Sequence, residues 1–318
     1  MTTSTVTGAH RGAGRDQPSA RPGRSRSSAP ARRNARTGLL LVAPALAVVG
    51  VFVLYPLGFG VYISLTNWPL VGPYHLIGLA NYSSLAHNAL FLGSIVFTLK
   101  YTGIVTLPIL VVGYGLAVLV RSNRPGATIF RTLLFLPFII GLTTLSYMSV
   151  VELQPTSGTV NFLLSKLGIV SDATAWLVHA GLAVTAICVL VIWAASGLTM
   201  MLLMAGMQGI PEELYESARV DGASWWDTEW HITLPLLRRA IALSLIISVV
   251  GSFLAFNQFY IMTQGGPGTS TVSVVMAIYD TAFTQFNIGL ASAMSVVLVV
   301  IVGLITFAQF YFLQRKAG

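Results

Sequence analysis

"GLLLVAPALAVVGVFVLYPLGFGVYISL", Gly38 to Leu65, holds 28 residues without an acid or a base. A helix rises 1.5 Å per residue, so about 20 apolar residues cross the ~30 Å hydrocarbon layer of a bilayer. This run is long enough to do so. It is too long for a signal-peptide core, and no small-x-small cleavage site follows it, so it reads as a retained anchor. Five more apolar runs follow, near residues 91–120, 132–151, 180–207, 240–262 and 288–313. Charged residues make up 9% of the chain and apolar residues 55%, against roughly a quarter charged in soluble domains. Mean hydropathy is +0.77. The expected fold class is all-α: a polytopic membrane helix bundle of six transmembrane helices.

The net charge of +8 does not point to nucleic acid, because the cations sit in particular loops. Eight arginines precede residue 38, in an Ser-, Gly- and Pro-rich stretch too polar to build a core. Residues 1–37 are expected to be a disordered cytoplasmic tail, an orientation signal whose arginines can touch anionic lipids. Residues 38–318 form the membrane domain. Arg121, Arg124 and Arg131 lie between runs two and three; Arg219, Arg238 and Arg239 between four and five; Arg315 and Lys316 at the end. The opposite loops hold only Lys166. Positive loops stay inside, so both termini are expected in the cytoplasm of a cell whose plasma or inner membrane the chain crosses. Lys100 lies near the outer end of its run, where snorkelling is inexpensive.

Several classes are excluded or weakened. There is no Walker A pattern and no complete GxGxxG, so no nucleotide site is visible. His10, His75, His87, His179 and His231 are scattered, and neither HExxH nor GxSxG occurs. No cofactor, metal or enzymatic activity is expected of this chain. Cys188, the single cysteine, reads as a packed thiol. An ion-coupled secondary carrier of a small polar solute remains the alternative, but no run has an acid or a histidine near its middle.

The acids concentrate elsewhere. From Glu212 to Arg239, six of the chain's ten carboxylates face three arginines, together with Trp225, Trp226 and Trp230. The orientation rule does not call for them. Pro211 suits the first turn of a helix. "EELYESARV" follows, with Leu214 and Ala218 on one face beside Tyr215, and Gly222 is expected to stop it. Ser224 and Asp227 form a capping-box pattern that starts a second helix, ended or kinked at Pro235. Two short helices at an angle result. An aromatic interface belt, a re-entrant cap and a docking site all fit that description.

The spacing favours the third. Glu216-Ser217-Ala218, three residues, Gly222, nine residues, then Ile232-Thr233-Leu234-Pro235 resembles the EAA loop of ABC-importer permeases, with Ser217 for the first alanine. "FRTLLFLPF" (Phe130–Phe138), "MAGMQGIPEELYESARVDGAS" (Met204–Ser224) and "FNQFYIMTQGGPGTST" (Phe256–Thr271) resemble the branch that contains the maltose and glycerol-3-phosphate permeases. The resemblance implies a binding-protein-dependent permease subunit that moves a sugar or sugar derivative inward. The loop at about 208–239 would couple it to a separate ATPase. It implies coupling roles for Glu216, Ala218, Asp221, Gly222 and Ala223. Pro211, Ser224, Ile232, Leu234 and Pro235 would shape the loop. The implied partners are a related second permease subunit, two cytoplasmic ATPase subunits, an extracytoplasmic solute-binding protein and membrane lipids, with no nucleic acid.

Polar and aromatic groups inside the runs need partners, since an unpaired amide is costly in lipid. Asn257, Gln258, Trp193, Ser196, Tyr147 and Thr199 are such groups. Interhelical hydrogen bonding and the lining of a solute path both satisfy them, and the resemblance places the path near the segment before the Gly-Gly-Pro turn.

Overall fold

The computed structural model describes residues 41–69, 71–121, 126–171 and 174–315. The tail expected to be disordered, 1–37, lies outside the described residues, as does Arg124. Two compact units emerge, Met1–Tyr55 and Pro56–Gly318. In the first, the described chain is helical from Leu41, the start of the apolar helix α1 (Leu41–Ser64).

The second unit is a helix bundle. Three of its helices are long and apolar enough to cross a membrane: α3 (Ala89–Val120), α7 (Ala180–Gln208) and α13 (Ile288–Arg315). Two bent pairs also qualify, α4 (Ala127–Ile140) with α5 (Leu142–Glu152), and α9 (Trp225–Leu236) with α10 (Arg238–Phe253). Shorter helices complete it: α2 (Ala80–Leu85), α6 (Thr159–Lys166), α8 (Glu212–Val220), α11 (Asn257–Met262) and α12 (Val274–Thr284). Counting α1, the described residues hold four long spans, or six if each bent pair is one span.

Local chemistry sets the element ends. The Asn88 side chain accepts the Phe91 N–H at 2.9 Å and starts α3. Arg131 donates from Nε and Nη2 to the Val120 carbonyl, at 2.9 and 2.7 Å, and closes its last turn. α3 packs along α7, and α4 along the other side of α7. Both approaches need glycine. A Cβ on Gly113 would lie 2.5 Å from the Thr199 methyl, and one on Gly197 would lie 2.7 Å from the Leu134 carbonyl oxygen. Small residues at such crossings let helices pack where lipid offers no hydrophobic drive.

The larger core gathers Tyr101, Ile187, Phe253, Phe259 and Met294. A second cluster, around Ala117, Met200, Leu203 and Leu237, sits where α3, α7 and α10 converge. Leu107, Val111, Leu304 and Phe307 point outward with more than 60% of their surface exposed, as a lipid-solvated bundle requires.

The expected third run is two helices. Gly141, at φ +86°, joins α4 to α5 at 89°, a backbone conformation that side chains disfavour. The expected fifth run is also broken: α10 ends at Phe253 and α11 begins at Asn257. The break is supplied with partners, since the Ser273 hydroxyl donates to the Ala255 carbonyl at 2.7 Å. Between α1 and α3 the one helix among the described residues is the short α2.

Candidate functional site

The connector between α7 and α10 folds as two helices around a glycine. Pro211 precedes α8, whose first turn carries Glu212 and Glu213 at its electropositive end. Gly222, at φ +78°, reverses the chain after α8, and the Ala223 N–H returns to the Ala218 carbonyl at 2.9 Å. The capping box then starts α9. The Ser224 hydroxyl accepts the Asp227 N–H, and Asp227 accepts the Ser224 N–H at 3.2 Å. The Ser224 hydroxyl donates to the same carboxylate at 2.5 Å. These bonds hold the Asp227 carboxyl below the usual carboxylate range. Five residues, Glu229–Thr233, take a π-helical turn. The helix continues through Pro235 and bends only after Leu236.

The elbow shows two faces. Glu216, Asp221, Gly222, Ala223 and Ser224 are exposed, as are Trp225, Trp226 and Trp230. Glu216 and Asp221 share a shallow hollow with Glu213, Ser217 and Val220. Ala218 is buried, and Leu214, expected on its face, is exposed. Ile232, Leu234 and Pro235 are half-buried in α9.

Glu229 behaves unlike the other acids. It is 2% exposed, and its neighbours along the helix at four-residue spacing, Thr233 and Leu237, are buried with it. Tyr114 donates to its Oε2 at 2.5 Å, and Arg121 lies 3.0 Å from its Oε1. The arginine contact is ionic without an aligned hydrogen bond on Oε1. The Arg121 guanidinium also sits 5.6 Å over the Tyr215 ring, and the Tyr215 hydroxyl meets that of Thr233 at 3.2 Å.

The polar groups expected inside the bundle divide. Gln258 is buried and donates to the Tyr101 hydroxyl at 3.2 Å, joining α11 to α3. Gln258 and Thr199 line a mostly apolar cavity of about 170 Å³ with Tyr101, Ser244, Ser248 and Ser252. The Ser244 hydroxyl in its wall is buried without a hydrogen-bond partner. Asn257, Trp193 and Tyr147 are exposed outside it, and Ser196 is buried with its hydroxyl donating to the Ile192 carbonyl at 2.6 Å. In the Gly-Gly-Pro turn the Thr263 and Thr271 hydroxyls meet at 2.7 Å and Thr271 donates to the Gly266 carbonyl, while the Ser270 hydroxyl is buried without a hydrogen-bond partner. Among the described residues no group of three or more His, Cys, Asp or Glu side chains could hold a metal ion.

Residues 101–318 match the family described as the binding-protein-dependent transport system inner membrane component. The chain belongs to this family. A probable ABC transporter permease protein of Pyrococcus horikoshii is 31% identical over 274 residues, covering 86% of this chain and 94% of its own. A probable permease for starch degradation products, AmyD of Thermoanaerobacterium thermosulfurigenes, is 30% identical, over 87% and 94%. The bacterial alginate ABC transporter, solved with an alginate pentasaccharide-bound periplasmic protein, contains a chain of the same fold, at TM-score 0.78 and 23% identity over 90% and 97%. The chain is therefore a multi-pass membrane permease subunit of an ABC importer, a translocating component.

In the sequence Glu229 stands as one of six acids of the connector. Its place on the Thr233–Leu237 stripe was the available signal, since a carboxylate on an apolar stripe requires a cation. Tyr114, Tyr101 and the α10 serines carried no such mark, because short polar residues in apolar runs are common and unspecific.

Proposed function

We propose that the chain crosses the membrane six times with both termini in the cytoplasm, and moves a sugar or sugar derivative inward under the drive of a partner ATPase docked on the loop at about 208–239. The observation that carries this is the exposed elbow. Glu216, Asp221, Gly222 and Ala223 stand together on a surface that holding the bundle does not require. Glu216 and Asp221 are placed to pair with cations of an ATPase groove. Gly222, with no side chain, lets another backbone approach. Such an interface would bury roughly 800 Å² per partner and depend on a few anchors.

The starch-product permease supports a carbohydrate solute; the cavity adds an aromatic ring, Tyr101, and a few polar groups, Gln258, Thr199 and three serines, set in an otherwise apolar wall. At about 170 Å³ the cavity lies below the ~300 Å³ at which small-molecule pockets begin. A second permease subunit and a change of state would complete it. ATP binding would draw the coupling elbows of the two permeases together and turn the path outward, toward the solute-binding protein; hydrolysis would reset it. The ATPase supplies the free energy, and the permease supplies contacts that differ between the states.

The test is uptake of a labelled panel of oligosaccharides, sugar alcohols and glycerol phosphate by cells lacking the gene. The wild-type chain should restore uptake of one class in energised cells only. Gly222→Trp should reach the membrane and restore none. Equal restoration by Gly222→Trp would remove the coupling assignment.

A further inference from the structure

An elbow pushed by a motor must pass that push on, and its connection to the bundle is narrow. Among the described residues, α8 makes no broad helix–helix packing, and neither does α9 with α3. An open hollow of about 650 Å³ is lined by Met207 at the end of α7, Tyr215 and Arg219 of α8, Trp225 of α9 and Arg121. What makes the connection is the cluster around Glu229. One carboxylate oxygen takes the Tyr114 hydroxyl of α3, and the other faces Arg121, the residue that ends α3. Arg121 in turn holds the ring of Tyr215 on α8, and the Tyr215 hydroxyl returns to Thr233 on α9. Four links thus close a loop through three helices. Next to it, Arg131 ties the last carbonyl of α3 to the start of α4.

We propose that the Arg121–Glu229 pair, seated between Tyr114 and Tyr215, is the joint that makes the coupling elbow and the inner end of α3 move as one rigid body.

This rests on the coupling role proposed above for the elbow. The chemistry suits a joint. An apolar contact can slide at little cost, whereas a buried charge pair with a directed hydroxyl bond has one good geometry. The Glu229 side chain is 3% exposed, so pulling it off Arg121 would strand a carboxylate away from water. Both are positioning residues, since their contacts are to Tyr114 and Tyr215, and they lie outside the exposed face assigned to the ATPase.

The experiment uses spin labels on the assembled transporter. Leu119→Cys on α3 and Val220→Cys on α8 are both well exposed, at 73% and 87%, while native Cys188 is buried. The interlabel distance is measured by electron–electron double resonance in the nucleotide-free complex and after trapping with ATP and vanadate. In the otherwise wild-type chain the mean distance should be the same in both states. With Glu229→Gln the distribution should broaden, and its mean should shift on trapping, while the ATPase still co-purifies. The double change Arg121→Met with Glu229→Met leaves no stranded charge, so it folds even if the single change does not, and it should show the same shift. A distance that moves in the wild type, or that stays fixed in both variants, overturns the joint. Loss of the ATPase from Gly222→Trp bears on the coupling assignment alone, so the two failures are told apart.

Discussion

At the scale of single residues, the connector owes its shape to short polar side chains. Ser224 both accepts and donates in its capping box, so Ser224→Ala should cost α9 about 1 kcal/mol of stability. Hydrogen exchange over residues 222–236 would read this as faster opening. The same box has a pH signature. Asp227 titrates below an ordinary carboxyl because the folded state favours its charged form. Its contribution is therefore complete above the ordinary carboxylate range and is lost as pH falls through the depressed value. Protection of this segment, taken relative to the intrinsic exchange rate at each pH, should fall on acidification in the wild type, and much less in Asp227→Asn. In the bundle, Tyr101→Phe removes the hydroxyl that Gln258 reaches, at a cost of about 1 kcal/mol. If the cavity is the solute path, that change should alter the preference among solutes in the uptake panel; unaltered preference would take Tyr101 and Gln258 off the path.

At the scale of elements, two crossings on α7 fix the bundle. The Cβ of Gly197→Ala would meet the Leu134 carbonyl, which belongs to backbone and cannot turn away. Overpacking of this kind costs about 1–3 kcal/mol, so the variant should lose thermal stability in detergent, whereas Gly181→Ala, at an open position of the same helix, should not. These elements also show what the sequence made readable. The long runs were legible because hydropathy alone specifies an apolar helix, and α3, α7 and α13 begin and end within a few residues of where the runs do. Gly222 and the Ser224–Asp227 box were legible because their roles are local. The 89° bend at Gly141 and the break after Phe253 were not. A glycine in an apolar run fits a straight helix equally well, and the Ser273 hydroxyl that supports the second break comes from eighteen residues further along. The pairing of Arg121 and Tyr114 with Glu229 was hidden for the same reason: partners more than a hundred residues apart leave no spacing to read.

At the scale of the whole molecule, the chain divides its work. The bundle presents apolar surface to lipid and holds a small, mostly apolar cavity with a few polar groups in its wall, while the acidic elbow is exposed on one surface. This arrangement suits a subunit that contributes a path and receives force without making it. The decisive measurement is the amount of ATPase that co-purifies with the tagged chain in the wild type and in Gly222→Trp. Gly222 has open space where a side chain would go, and only its φ of +78° and a partner's approach oppose one, so the bundle should survive the change. The expected result is a stable Gly222→Trp chain that retains its second permease subunit and loses the ATPase. Full recovery of the ATPase with that variant would contradict coupling through the elbow.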